Sequence, residues 1–144
     1  MKYGFAIPNG GPMTRDDGIA ALAAKGEELG FDLVYAVDHV VMPQSIESYY
    51  PRSREFGMGT GGRSDGGGGG ECLELFGMLG YLAACTSRLR LLSSVMIVPY
   101  RPAVLTAKML ATVDVLSGGR LTVGCGVGWM REEFETLGTV PYEA

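Results

Sequence analysis

The chain has one histidine, His39, which follows Asp38 at the end of the apolar run in VYAVDHVVMP, residues 34–43. Imidazole titrates near neutral pH, so a histidine in that place suits proton transfer or a hydrogen bond to a cofactor ring. The competing reading is a histidine that caps a loop. A metal centre is not expected, because one histidine without a cluster of carboxylates or thiols cannot fill a coordination shell. The second group of interest is GCGVGW, residues 124–129. Its spacing is G-x-G-x-G rather than G-x-G-x-x-G, and it lies late in the chain, so a dinucleotide fingerprint is not indicated. Small residues there keep a strand end narrow, leaving room for a planar ligand. The tract GMGTGGRSDGGGGG, residues 57–70, lacks the lysine of a phosphate-binding loop and reads as flexible coil. Cys85 and Cys125 sit in apolar stretches and read as packing residues.

These groups need elements to hold them. Residues 2–7 read as a strand broken by Pro8-Asn9-Gly10-Gly11-Pro12. A helix follows, with Thr14 as N-cap, Asp16 and Asp17 in its first turn, and Gly30 just past its end. Residues 33–37 are apolar without alternation, the pattern of a parallel strand covered on both faces. A helix is expected over 71–85, a third strand within LRLLSSVMIVP, and a helix led by Pro102 at its first position. RLTVGCGVG is a fourth strand, and WMREEFETLG opens a fourth helix. The order βαβαβαβα implies parallel βα units in one domain spanning 1–144. In such α/β folds chemistry gathers at the carboxyl ends of the strands. Asp38-His39, Ser93 to Val95 and Gly124 to Trp129 should therefore meet on one rim.

Composition narrows the partners. The 144 residues carry a net charge of −4 with scattered Lys and Arg, which offers no basic face for nucleic acid. No run of about 18 apolar residues is present, so neither a membrane span nor a signal peptide is expected. Three cysteines, without a C-x-x-C pair, indicate a reduced, cytoplasmic setting rather than a disulfide framework.

Three stretches carry a family resemblance: KYGFAIPNGG, GFDLVYAVDHVVMP, and the long segment from LRLLSSVMIVPYRP through SGGRLTVGCGVGWMREEFETLG. Together they resemble the luciferase-like monooxygenase superfamily, and within it the oxidoreductases that use the deazaflavin coenzyme F420. The resemblance implies a (β/α)8 barrel with an F420 or FMN ring across its carboxyl-end rim, and hydride transfer to or from that ring. It implies that Asp38 and His39 are the catalytic pair beside the ring. It implies also that Ser94-Val95 is a non-proline cis peptide against the ring, that Gly126, Val127, Gly128 and Trp129 border the cofactor, and that Glu133 lies on the substrate side. F420 is the expected cofactor and FMN the alternative.

Family barrels have eight strands, and four are expected here, so the chain corresponds to the N-terminal half of a TIM barrel. Two readings follow. One is an F420-dependent oxidoreductase acting on a small organic substrate, with an FMN-dependent monooxygenase as its variant. The other is a non-catalytic half-barrel that self-associates. A parallel half-barrel leaves two strand edges and an inner face uncovered, so a homodimer or higher homo-oligomer is expected to close the ring.

Overall fold

The computed structural model describes residues 1–43, 46–48 and 72–143. In chain order they form β1 (Gly4–Ala6), α1 (Gly18–Glu28), β2 (Leu33–Ala36), α2 (Leu75–Cys85), β3 (Arg90–Ile97), α3 (Ala103–Leu116), β4 (Leu121–Gly126) and α4 (Arg131–Leu137). Short 3-10 turns lie at Pro12–Thr14 and Val98–Tyr100. Every strand pairing is parallel and the sheet order is β1-β2-β3-β4, so each helix returns the chain to the next strand along. This is the expected half of a (β/α)8 barrel. No described helix is long and apolar enough to cross a membrane.

Successive side chains on a strand point to opposite faces, and the register aligns them in rows across the sheet. Phe5, Val34, Leu91 and Leu121 form one row, which packs under the helices with Ile19 and Ala23 of α1, Leu75, Leu79 and Leu82 of α2, and Val113 of α3. The flanking rows, Gly4-Leu33-Arg90 and Ala6-Tyr35-Leu92-Thr122, face the other way. In those rows Leu33, Tyr35 and Leu92 are half-buried, and Gly4, Ala6, Arg90 and Thr122 are exposed. One face of the sheet is thus a core, and the face that would line a closed barrel is open.

Several boundaries differ from the sequence reading. Thr14 is not the cap of α1: its hydroxyl donates to the Gly11 carbonyl at 2.8 Å, closing the first 3-10 turn. Asp16 and Asp17 adopt φ of 51° and 61°, and the helix begins only at Gly18. The second helix starts at Leu75, because Glu74 caps it by accepting the Gly77 amide at 2.9 Å. Pro102 is the N-cap of α3, one position before the expected first turn. Cys125 is exposed rather than packed, since β4 is an edge strand and only Leu121, at its start, reaches the core. The glycine tract at 57–70 lies outside the described residues.

Two charged side chains bind the amino-terminal end of the sheet together. Glu27, at the end of α1, accepts the amides of Ser87, Arg88 and Leu89 in the turn before β3. Burial pushes its carboxyl up, and these amide bonds outweigh that and hold it below its ordinary value. Arg120, just before β4, donates to the carbonyls of Ala83, Thr86, Leu89 and Ser117 and to the Thr86 hydroxyl, at 2.7–3.0 Å. The guanidinium thereby takes up carbonyls that the end of α2 leaves without helical partners.

Candidate functional site

The carboxyl ends of β2, β3 and β4 and the first turn of α4 meet at the opposite rim. Asp38 leaves β2 with its side chain fully buried and both oxygens in use. Oδ2 accepts the Ile97 amide at 2.8 Å and Arg101 Nη1 at 2.8 Å, and Oδ1 accepts Arg101 Nη2 at 2.7 Å. Arg101 also reaches Glu74 at 2.8 Å and lies over the Phe76 ring at 5.1 Å. Burial works against its charge, but Asp38 and Glu74 more than compensate, and the guanidinium stays protonated more firmly than usual. Asp38 thus joins the end of β2 to the turn after β3.

His39 faces a different carboxylate. Its Nδ1 lies 3.0 Å from Oε2 of Glu133, whose side chain is 0 % exposed while that of His39 is 22 % exposed. The same Oε2 accepts the Tyr100 hydroxyl at 2.7 Å, and Oε1 accepts the amides of Val40 at 2.6 Å and Val41 at 3.0 Å. Burial pushes the Glu133 carboxyl up, yet the bonds from His39, Tyr100, Val41 and Val40 prevail and keep it below the usual range. Tyr100, itself buried beside Glu133 and Asp38, is pushed far above the ordinary phenol range and remains a hydroxyl.

The neighbouring carboxylate does similar work one step out. Glu132 accepts the amides of Glu47 and Ser48 at 2.6 and 2.9 Å and the Ser48 hydroxyl at 2.6 Å, and Ser48 Oγ accepts the Arg131 amide at 2.9 Å. Burial opposes its ionisation, and the bonds from Ser48 and Glu47 together outweigh that and bring its carboxyl down to about 2. The consecutive pair Glu132-Glu133 therefore clamps two parts of the loop after β2 onto α4. Cys72 lies behind His39, its thiol donating to the His39 carbonyl at 3.2 Å and accepting from Asn9 Nδ2 at 3.3 Å. Burial, with the negative charges of Glu133 and Asp38, raises that thiol to about 11, so it is not a nucleophile at neutral pH.

Between Ser93 and Met96 the register of β3 against β4 shifts, and the Ser94–Val95 peptide bond inside the bulge is cis. Ser93 bridges the irregularity, its hydroxyl donating to the Gly124 carbonyl at 3.0 Å and accepting the Gly124 amide at 3.1 Å. The glycines of β4 make the bulge possible. A Cβ at position 124 would stand 2.6 Å from the Ser93 carbonyl oxygen, and one at 126 would stand 2.5 Å from Val95 Cγ2. Ser94 and Val95 are exposed on this bulge. Past β4, Gly128 adopts φ of 82° where the Phe134 and Ile97 side chains leave no room for a Cβ.

Of the residues singled out from sequence, Asp38 and His39 are adjacent but hold different partners, His39 and Glu133 are hydrogen-bonded, and Val95 abuts Gly126. Val127 is 80 % exposed, and Trp129 is half-buried with its carbonyl accepting the Tyr142 hydroxyl at 3.2 Å. Glu133 has protein groups at all four of its acceptor positions. Tyr100, Arg101, Glu74 and Glu132 were not picked out by sequence reasoning. The one signal for Arg101 was an arginine held between Pro99 and Pro102 directly after a strand.

A profile of the luciferase-like monooxygenases matches residues 1–144. The chain belongs to that family. An uncharacterised protein of Mycobacterium tuberculosis is 31 % identical over 143 residues, covering 98 % of this chain and 47 % of the relative. This luciferase-like chain thus spans about half the length of that relative. Among solved structures it is similar to the coenzyme F420-dependent tetrahydromethanopterin reductase of Methanopyrus kandleri, with 22 % identity and a TM-score of 0.63 over 96 % of this chain and 30 % of that one. It is also similar to the oxygenating constituent of 3,6-diketocamphane monooxygenase of Pseudomonas putida, solved with FMN, with 14 % identity and a TM-score of 0.68 over 96 % and 32 % of the two chains. At those identities the two structures show a shared fold.

Proposed function

We propose that this rim carries the ring-facing half of an oxidoreductase site for coenzyme F420, with His39 as the group that gives or takes a proton beside the ring. The observation that carries the reading is a partly exposed imidazole held by a fully buried carboxylate, on the same rim as an exposed bulge of β3. The residues suit a planar ring. Ser94 and Val95 expose a backbone step, Gly126 and Gly128 add no side chain to the wall, and Trp129 follows them. F420 would supply hydride chemistry when bound. The protein's part is to orient the ring with Ser94, Val95 and Gly126 to Trp129, and to hold a proton at His39 while Asp38 fixes the turn after β3. Glu133 backs His39 from below. The substrate class is a small organic molecule.

Calorimetry with both cofactors tests the assignment. Tighter binding of F420 than FMN is expected. Tighter FMN binding would move the protein to a flavin-dependent monooxygenase, the reading favoured by the FMN-bound neighbour, and binding of neither would leave a non-catalytic half-barrel.

The open inner face and the two outer strands give the site a second requirement. We read 1–144 as one domain that a second copy completes, with β4 of one copy beside β1 of the other so that all strands stay parallel around a two-fold axis. A reducing, cytoplasmic setting suits the free thiols of Cys72, Cys85 and Cys125. Light scattering after size exclusion should give a dimer or a higher closed assembly, and a soluble monomer at micromolar concentration would overturn the closure.

A further inference from the structure

We infer that Glu133 is a positioning residue that fixes the His39 ring in the tautomer protonated on Nδ1, and so makes Nε2 the nitrogen at which the rim exchanges its proton. Hydrogen-bond capacity at Glu133 decides the tautomer. An ionised carboxylate only accepts, with about two positions on each oxygen. On Glu133, Oε1 is filled by the Val40 and Val41 amides, and Oε2 already takes the Tyr100 hydroxyl at 2.7 Å. Two of those donors are backbone N–H groups and cannot be turned round. The remaining position on Oε2 faces His39 Nδ1 at 3.0 Å. A bare Nδ1 lone pair would repel the carboxylate there, so Nδ1 carries hydrogen. In the neutral ring the lone pair then belongs to Nε2.

Other charged groups around His39 are committed elsewhere. Asp38 is engaged by Arg101 on both oxygens and by the Ile97 amide on Oδ2, and the Cys72 thiol bonds the His39 carbonyl rather than the ring. The burial of Glu133 keeps water from competing for Nδ1. An orienting carboxylate behind an imidazole is a general way of setting which ring nitrogen works. Its catalytic meaning here rests on the role proposed for His39, while the tautomer itself follows from the donors that converge on an ionised Glu133.

The variant Glu133→Gln changes no heavy-atom shape and has a defined consequence. The Val40 and Val41 amides still require an acceptor, so the glutamine carbonyl takes the place of Oε1. Its NH2 group takes the place of Oε2 and donates to Nδ1. The tautomer should invert, with hydrogen moving to Nε2. Because the chain has one histidine, long-range 1H–15N correlation on labelled protein reads this ring without ambiguity, at a pH where the imidazole is neutral and with no cofactor added. Nδ1–H in the wild type and Nε2–H in Glu133→Gln are expected. Nε2–H in the wild type, or Nδ1–H retained in the folded variant, would overturn the inference. If Glu133→Gln does not fold, the wild-type spectrum decides. Tyr100→Phe, which leaves the carboxylate in place, should keep Nδ1–H, and inversion there would likewise count against it. Failure of F420 to bind would sink the proposed function and leave the tautomer result standing.

Discussion

Each end of the sheet uses the same pair of side chains for different ends. At the amino-terminal base, Glu27 gathers three backbone amides and Arg120 gathers four carbonyls and a hydroxyl. Every partner of that carboxylate belongs to the turn into β3. At the carboxyl-terminal rim, Glu133 also takes two amides and Arg101 also binds across strands, but here the bonds end on side chains: His39, Tyr100 and Asp38. The base spends its charges mainly on backbone, with the hydroxyls of Thr86 and Ser87 added. The rim spends them on holding a partly exposed imidazole. Charge networks of like composition thus separate into scaffold and site by where their last hydrogen bond lands.

Breaking the buried charges should show the contrast most strongly. Asp38→Ala leaves the buried Arg101 with Glu74 as its remaining carboxylate partner, so the cost should fall at or below about 3–5 kcal/mol, that of a fully broken buried pair, and it should weaken cofactor binding by the protein that remains folded. Arg120→Met should cost a comparable amount, since it leaves several carbonyls unpaired at about 1–3 kcal/mol each before relaxation. Per folded molecule, however, it should leave cofactor binding unchanged. Denaturant unfolding together with calorimetry checks both, and a binding loss in Arg120→Met equal to that in Asp38→Ala would erase the distinction. A smaller effect is expected at the bulge. Gly126→Ala puts a methyl against Val95 and should cost about 1–3 kcal/mol by overpacking, with ring binding weakened further because the rim wall moves.

Acid should act on both ends. Glu27 and Glu133 are held below their ordinary range in the folded protein. A depressed folded value means that each contributes stability above the unfolded carboxyl value of about 4.3 and loses it as pH falls through the folded value. Unfolding free energies measured from neutral pH downward should decline in that window. Glu133→Gln and Glu27→Gln should each flatten part of the decline, and an unaltered slope in either would show that the carboxylate is not paired as described. The smallest stability effect belongs to His39→Asn, within about 1 kcal/mol at a partly exposed position, with a large loss of turnover in the assembled enzyme. Unfolding with unchanged activity per folded molecule would reverse the assignment.

The order of strands and helices was legible because the strands read as short apolar stretches separated by turn residues and helical patterns, unbroken at Leu33 to Ala36 and interrupted by Ser93 and Ser94 at Arg90 to Ile97. The rim could be located for the same reason, since strand ends are readable. Its internal wiring could not. Nothing at Glu133 in the sequence marks a residue 94 positions from His39 as its partner, because that pairing depends on the first turn of α4 meeting the loop after β2. The start of α1 was misplaced for a local reason: the Thr14 hydroxyl closes a 3-10 turn on the Gly11 carbonyl, and the helix begins at Gly18. The glycines of GCGVG were readable as a narrow strand end, but what they make room for, the bulge of the neighbouring strand, becomes visible only in register.

The rim, and not the base, should receive the cofactor. F420 titrated into 15N-labelled protein tests this directly, with the ring signals of the single histidine reporting the rim and the Arg120 Nε–H signal reporting the base. A saturable shift of the His39 ring signals with Arg120 unmoved is predicted. Saturable F420 binding that leaves His39 unmoved, or moves Arg120 instead, would contradict it.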